Sequence, residues 1–167
     1  MSRLDSPATS AKLVPPGADP EVVADLHRVL AGEGIVAALR VMNGRTPHRY
    51  TGIYKYTPKI LRNLYLVDAF DPDVTRGGDV PNEDAYCVLL RDANRMAFAA
   101  IQDANYPYKP ASPVVSYCGV LLMRANGQPF GSLCHYDVAR CQEPITQMPY
   151  LEAMAPHIVA MLEAEGH

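Results

Sequence analysis

Between Ser116 and Val138 the chain reads SYCGVLLMRANGQPFGSLCHYDV, two apolar runs either side of Ala125-Asn126-Gly127-Gln128. Asn-Gly between strand-like segments is a strong hairpin signal, because both residues tolerate positive φ and let the chain reverse. Strand alternation then assigns the faces. In the first arm Tyr117, Gly119, Leu121 and Met123 point one way, and Cys118, Val120, Leu122 and Arg124 the other. In the second arm Phe130, Ser132, Cys134, Tyr136 and Val138 oppose Gly131, Leu133, His135 and Asp137. Both arms are largely apolar on both faces, so the hairpin is expected at the centre of a sheet covered on each side.

The rest of the chain supplies what could cover it. Residues 1 to 18 are rich in Ser, Pro, Ala and Gly without periodicity and read as a flexible tail, leaving residues 19 to 167 as a single domain. Asp19-Pro20 reads as an N-cap with proline at the first helical position. Val22, Val23, Leu26, Val29 and Leu30 follow at helical spacing. Gly32 and Gly34 interrupt that pattern, and a second short helix runs from Ile35 to Met42, closed at Asn43-Gly44 by a left-handed glycine. From Arg49 the period changes to two: Tyr50, Gly52, Tyr54 and Tyr56 give a strand with one aromatic face. Ile60 to Phe70 suits an antiparallel partner, and residues 71 to 82 form a loop dense in Asp, Gly and Pro. Asp84 to Asn94 reads as a short helix with Asp84 as its cap, and Met96 to Ile101 as a third strand. Tyr106 to Pro113 holds three prolines and must be irregular. After the hairpin, Thr146 caps a last helix that carries Leu151, Met154, Ile158, Met161 and Leu162 on one face, with a kink expected at Pro156. The order gives an α+β fold: an antiparallel sheet with terminal helices on one face and irregular segments on the other.

Composition narrows the function. A chain of 167 residues can bury a real core, and 49% hydrophobic with 20% charged residues is ordinary for a soluble domain. A formal net charge of -3 with no basic stripe argues against nucleic acid. No apolar run approaches the ~20 residues that span a bilayer, and the N-terminus lacks the apolar stretch of a signal peptide, so a cytoplasmic location is expected. The four cysteines, at 87, 118, 134 and 141, form no close ligand pair for zinc and read as free, mostly buried thiols. No Ser-His-Asp arrangement, phosphate-cradling glycine loop or paired catalytic carboxylates can be recognised.

The words RYTGIYKY, LVDAFDPD, EDAYCVLL, AAIQDA, SYCGVLL, FGSLCHYD and LEAMAPHIVAML, in that order, resemble the GAF domain over roughly residues 20 to 164. The resemblance implies a GAF/PAS-like fold: a central antiparallel sheet, N- and C-terminal helices on one face, and a loop-roofed small-molecule pocket on the other. It places the pocket above the central hairpin, roofed by Asp84 to Asn94 and Asp103 to Val115. It also implies a homodimer through the terminal helices, or a separate signalling output protein as partner. It names no cofactor. The Asn-Lys…Phe…Asp-Glu signature of cyclic-nucleotide relatives is absent. Cys134-His135 is similar to the bilin-attaching Cys-His pair, but it falls inside a strand, and the accompanying Asp-Ile-Pro-like motif is missing. Haem relatives use an axial ligand that the sequence assigns to no particular histidine here. The motifs around Cys87 and Cys118 differ from those of the relatives that reduce free methionine sulfoxide.

The pocket candidates are Tyr54, Tyr86, Cys87, Asp103, Tyr117, Cys118, Ser132, Cys134 and Tyr136. The tyrosines offer apolar area with an orienting hydroxyl. Asp103 bounds the roof and can orient a polar ligand. Cys134 and His135 turn to opposite faces, so they make no dyad, whereas His135 and Asp137 share a face and could pair. No catalytic or metal-binding residue is assigned. The expected function is a non-catalytic sensor module that binds a small molecule. The alternatives are a thiol-dependent reductase of a small oxidised metabolite, akin to the methionine sulfoxide enzymes, and an interaction domain that binds nothing.

Overall fold

The computed structural model describes residues 14–98, 112–141 and 147–167. The element order is α1 (Pro20–Glu33), α2 (Ile35–Asn43), β1 (Tyr50–Tyr56), β2 (Ile60–Asp68) and β3 (Val80–Pro81). Two 3-10 turns, Asn82–Asp84 and Tyr86–Leu89, lead into a short helix, α3 (Leu90–Ala93). Then come β4 (Arg95–Phe98), β5 (Ser116–Met123), β6 (Pro129–Asp137) and α4 (Met148–Ala164). The described strands form one antiparallel sheet in the order β3-β2-β1-β6-β5-β4. The hairpin β5–β6 is therefore interior, with β1 beside β6 and β4 beside β5.

The N-terminal signals form as expected. Asp19 Oδ1 accepts the Glu21 amide at 2.9 Å, and Pro20 opens the helix. Gly34, at φ 94°, separates α1 from α2 in a conformation that a side chain would resist. Gly44 ends α2 differently from the expectation: its φ is -65°, and its amide bonds back to the Arg40 carbonyl at 3.0 Å without entering the left-handed region. Residues Val14 to Ala18, expected in the tail, pack against the domain through Val14 and Ala18. Thr146 lies outside the described residues, and α4 runs through Pro156 as one element with that ring exposed.

The hairpin turn also differs in detail. Only Gly127 takes positive φ (84°), while the Arg124 amide donates to the Gln128 carbonyl at 2.9 Å. That is a three-residue reversal carried by one glycine, not a two-residue turn using both Asn126 and Gly127. Between Leu122 and Met123 the β5–β6 register slips. The bulge turns Phe130 toward the helices, where it joins the helix-side core instead of following Ser132 and Cys134.

Two cores result. On one face α1, α2 and α4 bury Val23, Leu26, Leu39, Leu151, Met154 and Ile158 against Ile53, Val67, Val120, Leu122 and Leu133 of the sheet. On the other face Tyr86, Cys87 and Leu90 of the turn segment 82–93 pack with Tyr54, Leu61, Met96, Tyr117 and Cys134 of the sheet. The expected helix over Asp84 to Asn94 breaks into turns because Ala85 is extended, at φ -115° and ψ 125°. Asp84 ends the first turn and caps nothing with its side chain.

Candidate functional site

The face away from the terminal helices holds a cavity of about 320 Å³, within the range of ligand pockets. Alternation along the strands, reset in β2 by a bulge at Leu64, delivers its floor: Tyr54 from β1, Leu61 and Leu66 from β2, Tyr117 from β5 and Tyr136 from β6. The turn segment contributes Asp84, Ala85, Tyr86 and Cys87, and Gly77, Gly78, Val80 and residues 112–114 complete the described wall.

The polar groups on this floor are joined to one another. The hydroxyls of Tyr54 and Tyr136 lie 2.6 Å apart, and Tyr136 stacks on Tyr50 with centroids 5.0 Å apart. Tyr56 donates to the Cys87 carbonyl at 2.6 Å, and Arg91 lies over the Tyr56 ring at 4.3 Å, which fastens the turn segment to the sheet. Cys87 Sγ is 3.0 Å from the Tyr117 hydroxyl. Burial, as the largest cause, raises the phenols of Tyr54, Tyr117 and Tyr136 above their ordinary range, so they stay neutral. Burial also pushes the Cys87 thiol up, but polar contacts from Cys134, Ser132 and Tyr117 together outweigh it, and the net direction is down. Ser132 Oγ is buried without a well-formed hydrogen bond, so its contribution is a loose contact. Cys134, by contrast, is held well above the thiol range, chiefly by burial and then by Cys87.

The residues singled out from the sequence therefore divide. Tyr54, Tyr86, Cys87, Tyr117 and Tyr136 line the cavity. Cys134 packs in the same core just beneath it, and Ser132 is fully buried on the same strand face. Cys118 sits elsewhere: it faces the helices, in the other core, where burial raises its thiol to about 12. It neighbours Tyr117, and in a strand neighbours face apart. Asp103 lies outside the described residues. His135 and Asp137 do not pair with each other. His135 Nδ1 is 2.6 Å from Thr51 Oγ1, while Asp137 Oδ2 accepts the Arg49 amide at 2.9 Å. Sequence reasoning did not single out Leu61, Leu66, Gly77, Gly78 and Val80 as lining residues, since nothing local shows that the acidic loop folds back beside β2.

A second, more open groove of about 470 Å³ lies where α2 meets the ends of β1 and β2, lined by Arg40, Arg49, Asp68 and Phe70 among others. Its main charges neutralise each other, because Arg49 Nε and its terminal nitrogen reach the two Asp68 oxygens at 2.8 and 2.9 Å. The tyrosine-lined cavity combines enclosure, apolar area and a thiol, and it is the better candidate. Among the described residues no group of three metal-ligating side chains occurs, and no helix is long and apolar enough to cross a membrane.

No family model matches the chain, and no curated protein matches it in sequence. Solved structures do. The GAF domain of an Acinetobacter phosphoenolpyruvate-protein phosphotransferase superposes with a TM-score of 0.64 at 10% identity, covering 87% of this chain and 95% of that one. A free methionine-R-sulfoxide reductase from Neisseria meningitidis gives 0.64 at 15% identity, covering 98% and 96%. The chromophore-binding domain of a Stigmatella aurantiaca bacteriophytochrome gives 0.64 at 14%, covering 90% of this chain and 63% of that one. At such identities the likeness is one of fold. With an antiparallel sheet of six described strands, helices on one face and a roofed cavity on the other, this chain is an α+β protein with the GAF fold.

Proposed function

We propose that the chain is a cytoplasmic sensory domain that binds a small molecule and passes a signal through a homodimer or a separate output protein. The observation that carries this is the cavity itself: about 320 Å³, apolar in most of its lining, with three neutral phenols on its floor. Among the described lining residues Asp84 is the one charged side chain. A compact, uncharged or cationic ligand with a ring to stack and a group to meet the hydroxyls suits that lining. Four free thiols suit a reducing compartment. Terminal helices on the opposite face of the same sheet offer a route for output. Native mass spectrometry of the purified protein, with an absorption spectrum of the same sample, tests the reading. Bound mass that disappears in a Gly78→Trp variant supports it. No binding of any compound in a metabolite library by wild type overturns it.

A second reading, a thiol-dependent reductase of a small oxidised metabolite, is favoured by Cys87, which lines the cavity and has its thiol shifted toward the thiolate. Thiol titration of the folded protein separates the two. Four inert thiols argue against catalysis, and one fast thiol at position 87 argues for it.

A further inference from the structure

We propose that Cys87 and Cys134 form a redox-active pair at the cavity floor that is oxidised to a disulfide by a small hydroperoxide entering the cavity. This goes beyond ligand sensing and stands whether or not a metabolite binds there.

The two thiols come from different elements: Cys87 from the 3-10 turn of the roof and Cys134 from the centre of β6. They pack in one buried core, and each thiol shifts the titration of the other. Cys87 lines the cavity, whereas Cys134 lies below it against the Gly52 carbonyl, 3.8 Å away. One sulfur is thus reachable by a small solute and the other is reachable through the first. The surroundings also make the two unequal. The Tyr117 hydroxyl, 3.0 Å from Cys87 Sγ, can donate to a thiolate there, and Tyr117 is too acid-weak in this setting to compete for the charge. Cys134, held well up by burial, keeps its proton. Cys118 and Cys141 make poor substitutes. Cys118 is shut in the helix-side core, and Cys141 lies near the Asp137 carboxylate, 3.7 Å from its Sγ.

The chemistry balances in two steps. The Cys87 thiolate attacks the terminal oxygen of the hydroperoxide. The O–O bond breaks, the sulfur becomes a sulfenic acid, and the leaving alkoxide, or hydroxide from hydrogen peroxide, takes the proton that Cys87 gave up. The Cys134 sulfur then attacks the Cys87 sulfur, an S–S bond forms, and water leaves with the Cys134 proton. Two thiols have lost two electrons to one O–O bond. A dithiol returns them by exchange. Because Cys87 belongs to the roof and Cys134 to the sheet, the bond would tie the turn segment 86–89 down across the floor.

The test uses the full chain with one equivalent of hydrogen peroxide or cumene hydroperoxide, followed by alkylation and peptide mapping. The expected product has lost two hydrogens and carries a Cys87–Cys134 cross-link. Cys134→Ser should stop at a sulfenic acid that dimedone captures at Cys87. Cys87→Ser should oxidise roughly tenfold or more slowly, and Cys118→Ser and Cys141→Ser at the wild-type rate. A wild-type map that links any other pair, or leaves both thiols free, overturns the proposal without recourse to a variant. So does a folded Cys87→Ser protein, checked by circular dichroism, that oxidises as fast as wild type.

Discussion

Two imidazoles sit on the helix side of the sheet where few charges could be tolerated. His48 and His135 are both 1% exposed, and their rings stack with centroids 6.0 Å apart. Thr46 Oγ1 meets His48 Nδ1 and Thr51 Oγ1 meets His135 Nδ1, each at 2.6 Å, while Asn43 donates to Thr51 Oγ1 at 2.9 Å. Burial, the largest cause for both, lowers His48 to about 4 and His135 to about 3. A folded value below the unfolded 6.5 means the unfolded chain takes up protons that the folded chain refuses. Stability is therefore full above pH 6.5 and falls as pH drops from there toward 4 and 3. At about pH 5 each ring should cost roughly 2 kcal/mol relative to about pH 7. Urea unfolding at the two pH values measures the loss, and His135→Gln should remove about half of the dependence. Equal stability at both would refute the buried-neutral assignment. Asp68 adds a loss of the same sign at lower pH, although here the charged form is the one the fold favours. The Arg49 pair, with the Phe70 amide, holds its carboxyl below the ordinary range, so its contribution is present near neutral pH and fades as pH falls through that lowered value. Asp68→Asn should lower the melting temperature more at about pH 7 than at about pH 3. A variant equally destabilised at both pH values would show that the effect is packing, not charge.

At the scale of elements, glycine substitutions discriminate between strand and helix demands. Gly131 lies where β6 meets β1, opposite Lys55, and a Cβ there would collide with the Tyr54 carbonyl group. Gly131→Ala should cost more than about 3 kcal/mol, because backbone on a central strand cannot step aside. Gly32, inside α1, has open space where an alanine methyl would sit and unremarkable backbone, so Gly32→Ala should stabilise by about 0.5–1 kcal/mol. Thermal unfolding of the two variants gives opposite signs if the register is right, and a well-tolerated alanine at 131 would mean that β1 and β6 pair differently. Strands and long helices were legible because their signals are local: the Asp19 cap, the period-two tyrosines of β1, and the Asn126-Gly127 turn. The turn segment 82–93 was not. Its apolar run Val88-Leu89-Leu90 suits a helix, but Ala85 must extend so that Tyr86 and Cys87 can drop onto the sheet, and only the sheet's shape demands that. Pro81 closes β3 at the sheet edge, where its missing N–H removes no interior ladder bond.

For the whole molecule, the proposed output depends on what the terminal helices have left to offer. The stripes of α1 and α4 that suggest a dimer are largely buried within this chain, α1 against α2 and α4 and α4 against β5 and β6, with Val22, Val29 and Met161 partly covered. If a homodimer carries the signal, light scattering at micromolar concentration should give twice the chain mass, and Val29→Asp should halve it without unfolding the protein. A monomer throughout would direct the output to a separate partner. The cavity makes its own demand: a ligand that fills it should raise the melting temperature of wild type, and a ligand that does so equally in Gly78→Trp binds elsewhere.

The amino-acid order alone settled the α+β class, the central hairpin and the segregation of helices to the chain ends, because periodicity and turn chemistry act over a few residues. It also marked the tyrosines, whose alternation in β1 and β6 puts Tyr54 and Tyr136 on one face. What tertiary structure alone decided is which chemistry meets there. A one-residue bulge turns Phe130 to the helices, and a broken turn segment lays Cys87 over Cys134, 47 residues further along the chain. Those contacts come from sheet register and loop closure, which depend on the summed packing of distant segments and leave no mark on any short stretch of sequence.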